Sequence, residues 1–126
     1  MTDMKKYISR LFEISEDNIR EEMKSGWDSF DRVTRIRAND PESPVDQRVI
    51  RLCIDSRADE YIGMITGMTK TLYSALIASG LSRDESSYYF DLVSAKSLAL
   101  RNSVYSERDS RVINVDMYYD SNKKER

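Results

Sequence analysis

The chain has 126 residues, with 20 Lys plus Arg against 22 Asp plus Glu, no His, one Cys and two Pro. That length fits one domain, or a domain with an arm, and the 40% apolar share is enough to build a core. The absences exclude more: without histidine there is no Ser-His-Asp triad, Cys-His dyad or His-ligated zinc site, and the four glycines form no dinucleotide fingerprint and no Walker-type loop.

No apolar run reaches the roughly 18–20 residues that a membrane-spanning helix needs. The opening stretch MTDMKKYISRLFEIS has two lysines but no long apolar segment and no small-residue cleavage site, so it does not read as a secretory signal. The lone Cys53 cannot close an internal disulfide, which suits a reducing cytosol. The expectation is a cytoplasmic protein of bacterial, phage or mobile-element origin, not an enzyme, with no cofactor and no resident metal.

In chain order, Tyr7, Ile8, Leu11, Phe12 and Ile14 mark a first helical face. Ser15-Glu16-Asp17 reads as a break and a new cap. Ile19, Met23, Trp27, Phe30, Val33 and Ile36 then recur every three or four residues, predicting an amphipathic helix over about 16–38. Trp27 and Phe30 read as core, and the acids Glu21, Glu22, Asp28 and Asp31 as a solvated face. Asn39 to Pro44 holds both prolines and reads as the one linker.

Beyond the linker, Ile50, Leu52 and Ile54 alternate with Val49, Arg51 and Cys53, the pattern of a short strand. A helical phase through Val45, Val49, Leu52 and Cys53 is nearly as good, but Ser56 with Asp59 three residues on looks like a fresh helix start. Residues 57–79 form either one helix or two short ones broken at Gly67, with Gly80 as the stop. Ser82-Arg83-Asp84-Glu85 is a capping-box pattern opening a helix to about Tyr105. Ile113, Val115, Met117 and Tyr119 alternate as a second strand, and the polar end 121–126 reads as a fraying tail.

Taken as strand, helix, glycine turn and helix, residues 47–81 resemble the ribbon-helix-helix family of dimeric DNA-binding proteins. The resemblance rests on the stretch RVIRLCIDSRADEYIGMITGMTKTLYSALIASGL and on Gly67-Met68-Thr69-Lys70-Thr71, which has the form of the family's turn into its second helix. It implies that two chains pair their strands into an antiparallel ribbon lying in the major groove. Val49, Arg51 and Cys53 would then face DNA, with Arg51 as the guanine-reading fork. Ile50, Leu52 and Ile54 would form the dimer core, and Thr69 and Lys70 would meet phosphate.

The expected fold is mainly α (α+β), with four to five helices, two short β-strands and the ribbon-helix-helix-like segment, in a homodimer. An N-terminal helical region 1–40 would join a 45–126 unit, the two integrated as one domain. The expected function is a non-enzymatic DNA-binding regulator acting on double-stranded DNA. The alternative is a helical protein-interaction module, an inhibitor or adaptor, without nucleic-acid binding. The Gly67–Thr71 turn favours the first and the pI near 5.3 the second. A helix unbroken at Gly67 removes the groove-reading geometry.

Overall fold

The computed structural model describes residues 2–38 and 46–124, and these form three helices: α1 (Thr2–Ala38), α2 (Gln47–Ala78) and α3 (Arg83–Lys124). No strand occurs among the described residues. This corrects the α+β expectation, both strands and the count of four to five helices. The proposed linker Asn39–Pro44 lies outside the described residues.

Each misread segment has a physical reason. In α2 the buried positions are Ile50, Ile54, Ala58, Tyr61, Ile65, Leu72 and Leu76, spaced three, four or seven apart. That stripe begins inside the segment read as a strand and runs through Gly67 without a break, so 47–78 is one helix. The Asp46 carboxylate supplies its start by accepting the Arg48 amide at 2.8 Å. Ser56 therefore caps nothing; it sits mid-helix. The second supposed strand, Val112 to Tyr119, is also helix, because Val112, Val115 and Tyr119 lie three and four apart and pack together on the core. Ser15 does not break α1, and α3 runs past Tyr105 to Lys124.

The true ends have real caps. Gly80 adopts φ +72 just beyond α2, a conformation that strains any side-chain-bearing residue. Ser82 accepts the Glu85 amide at 3.3 Å and donates to the Glu85 carboxylate at 2.9 Å, so the capping box opens α3.

Cross-helix partners define the topology. Arg51 pairs with Asp116, Thr66 with Arg101, Thr69 with Ser97 and Tyr73 with Ser94, so α2 and α3 run antiparallel. Glu16 with Lys96 and Asp31 with Arg111 keep a constant offset of 80, so α1 and α3 run parallel. The result is an up-down-up bundle. Its apolar interior divides into two clusters, one around Trp27, Tyr61, Ile65 and Leu100, the other around Ile8, Phe12, Leu76 and Val93. Glu16, Thr69, Lys96 and Ser97 make a polar belt between them, at mid-length of the bundle.

Burial alone would raise the Glu16 carboxyl. Its hydrogen bonds and charge attraction to Lys96 and Arg20 outweigh that and hold it below the usual carboxylate value. The half-buried Glu16–Lys96 pair favours one register, since sliding either helix would part the two charges.

Candidate functional site

The last described turns of α1, the first turns of α2 and the far end of α3 meet at one end of the bundle. Two clefts open there, on either side of α1. One, of about 460 Å³, lies between α1 and α3 and is lined by Asp31, Arg111, Val115 and Tyr119. The other, of about 400 Å³, lies between α1 and α2 and is lined by Val33, Val49, Cys53, Arg57 and Glu60. Phe30, Thr34 and Ile50 form part of both walls.

Arg111 organises the α1–α3 cleft. Its Nε and Nη2 donate to the two carboxylate oxygens of Asp31 at 3.0 and 2.9 Å, and its Nη1 donates to Glu107 one turn back. The guanidinium carbon stands 4.2 Å from the Trp27 ring centroid. Burial alone would lower the Arg111 pKa, but hydrogen bonding and charge attraction to Asp31 and Glu107 raise it above its ordinary value. The cation is thus permanent and fully engaged.

Aromatic rings carry the wall onward. Phe30 and Tyr61 each meet Trp27 edge-on, at centroid distances of 5.8 and 5.6 Å. The Tyr61 hydroxyl lies against Gly26, where a built Cβ would fall 1.8 Å from it. Among the described residues neither that hydroxyl nor the Trp27 Nε1 has a hydrogen-bond partner. Burial raises the Tyr119 pKa, assisted by Tyr118 and Asp46.

The residues assigned to DNA contact are dispersed along one helix. Arg51 donates to the Asp116 carboxylate, whose second oxygen accepts from Gln47 at 2.7 Å. Arg51 and Gln47 in turn hold the Asp116 carboxyl below its ordinary value. Val49 and Cys53 are exposed and line the α1–α2 groove. Thr69 sits in the mid-bundle belt, within hydrogen-bond distance of the Ile65 carbonyl and Ser97. Lys70 is exposed beside it. At 1.5 Å per residue, Thr69 stands about 27 Å along the axis from Arg51. Val49 and Cys53 are therefore brought together; Thr69 and Lys70 belong elsewhere.

Sequence reasoning missed Arg111, Asp31 and Arg57 as participants in this end of the bundle. The available signal was the helical phase of Val104, Arg111 and Val115, which the strand reading of the last segment hid. The acids of α1 gather no metal-binding set: no group of three His, Cys, Asp or Glu side chains among the described residues could hold an ion. No helix among them is long and apolar enough to cross a membrane. Against family models, curated proteins and solved structures alike, the chain returns no match.

Proposed function

We propose that the chain is a helical protein-interaction module that receives apolar side chains of a partner protein in the groove between α1 and α2. The observation that carries this reading is the apolar rim of the groove. Val33 and Val49 are 53% and 49% exposed, Cys53 is exposed with them, and Phe30 lines the depression beside them. Clustered apolar exposure around a concave surface marks association sites more often than scattered apolar residues do. Arg57 and Glu60 supply charges of both signs at its edge, able to orient a bound segment.

The DNA-binding alternative has less support. The segment meant to form a ribbon is helix, and Arg51 has its charge matched by Asp116. Site-specific photocrosslinking from Cys53 and from Val49, in the native host, tests the groove. A discrete protein adduct from both positions, lost on Val33→Asp substitution, is expected. No adduct from either position, or a gel shift of duplex DNA at low salt, would overturn the reading.

A further inference from the structure

The side of α3 turned away from the bundle carries a second periodic pattern. Its inner face is occupied by Tyr89, Val93, Ser97, Leu100 and Val104, all buried. From Asp84 to Asp109 the outward positions recur at alternating spacings of four and three, and every one is exposed. That alternation traces one straight stripe along the helix, and Tyr88, Ala95, Leu98 and Tyr105 are its apolar members. Tyr88 and Leu98 on it are 63% and 60% exposed.

The stripe also matches itself when reversed. We propose that it docks a second copy of this chain, with the two α3 helices antiparallel about a two-fold axis crossing between Lys96 and Ser97. In that register Leu98 packs over the partner's Ala95, a large side chain on a small one. Tyr88 meets the partner's Tyr105, and Asp91 meets the partner's Asn102, which can donate to it. Two flanking steps agree: Leu92 lies beside the partner's Ala99, and Arg108 beside the partner's Ser87. A long side chain faces a short one at each of these steps, and no two cations are opposed.

One layer is unfavourable, at the two ends, where Asp84 approaches the partner's Asp109. Arg108, which already bonds the Asp109 carboxylate at 3.1 Å, stands at that layer and offsets only part of the repulsion. The remaining described cations along the stripe's length are turned inward, Lys96 to Glu16 and Arg101 to Thr66, so they do not obstruct a close approach. Isologous pairing of this kind is the commonest closed assembly. It leaves the α1–α2 groove open and does not depend on that groove's having a partner.

The test is sedimentation equilibrium of the full chain, from 1 to 100 μM, with helicity followed by circular dichroism. A species of twice the 14.7 kDa chain mass is expected. Leu98→Arg and Tyr88→Lys should each weaken it about 30-fold or more while helicity holds. Asp84→Asn should tighten it several-fold, because it removes the like-charge layer, and the antiparallel register specifically requires that gain. In a Cys53→Ser background, mixing Ala95→Cys with Leu98→Cys chains should give the mixed disulfide in preference to either homodimer. A 14.7 kDa species at 100 μM, a dimer indifferent to both Leu98→Arg and Tyr88→Lys, or one loosened by Asp84→Asn would overturn the proposal. Val33→Asp, which tests the groove, should leave the dimer unchanged.

Discussion

Asp31 and Arg111, eighty residues apart, are joined by two parallel hydrogen bonds that tie α1 to α3, with the Trp27 ring beneath the guanidinium. A planar fork meeting a carboxylate while stacking on an indole is geometry that lysine cannot reproduce. Asp31 remains partly exposed, so the ion pair itself contributes less than its buried counterpart would. Arg111→Ala should cost about 1–3 kcal/mol, mostly through lost packing and cation–π contact. Arg111→Lys should recover less than half of that. Trp27 is the single tryptophan, so its emission should shift to the red in Arg111→Ala, and denaturant melts followed at that wavelength give the stability.

Gly26 has its place because Tyr61 occupies the space a side chain would need. Alanine in an ordinary helix interior gains about 1 kcal/mol over glycine. Here the new Cβ would overlap the Tyr61 hydroxyl, so Gly26→Ala should instead destabilise by about 1–3 kcal/mol. Tyr61→Phe alone should be neutral or slightly stabilising, since it removes a buried hydroxyl with no partner among the described residues. Combined with Gly26→Ala it should restore part of the loss. Thermal melts of the two single variants and the double variant check this, and a double variant no better than Gly26→Ala would contradict it.

Gly67 was the pivot of the strand-helix-helix reading and behaves in the opposite sense. It is exposed inside α2, with nothing within 4 Å of a built Cβ, and Gly63 one turn earlier is the same. Gly67→Ala and Gly63→Ala should each stabilise the chain by about 0.5–1 kcal/mol and add when combined. A loss of stability in either would mean that the helix is interrupted there.

These contrasts show what was legible. The helical majority was, because Ile19, Met23 and Trp27 repeat without ambiguity and Ser82 and Gly80 carry real cap chemistry. The segment 47–54 was not: its β-branched residues permit either period, and the deciding fact is that Ile50 and Ile54 continue a stripe reaching Leu76. The same ambiguity governs 112–119, where residues two apart look like one sheet face while Val112, Val115 and Tyr119 form one helix face. Ser15 and Ser56 are cap residues by type alone, since an unbroken apolar stripe on either side outweighs them. Of the cleft, the sequence reading placed Val49 and Cys53 outward only as DNA-facing positions of a strand, and Arg111 with Asp31 joins two helices by a tertiary contact that no local spacing announces.

The acid side of the stability curve follows from three carboxylates. Asp116 is held below its ordinary pKa by Arg51 and Gln47, and Asp46 by the Arg48 amide and guanidinium. At Glu16 burial works in the raising direction, but the Lys96 and Arg20 contacts prevail and the net shift is downward. A carboxyl depressed on folding stabilises the native state at pH above its unfolded value, and that contribution disappears as pH falls through the folded value. With unfolded values near 4, the melting temperature should begin to drop below about pH 4.5 and keep dropping as pH falls through the folded values. Between about pH 5 and 8 it should be nearly flat, because the chain has no histidine to titrate there. Glu16→Gln should lower the neutral-pH stability, by leaving Lys96 without its counter-charge, and shallow the acid slope. Circular dichroism melts at half-unit pH steps would show this, and a maximum near pH 3, or an equal slope in Glu16→Gln, would show that the mid-bundle pair does not contribute.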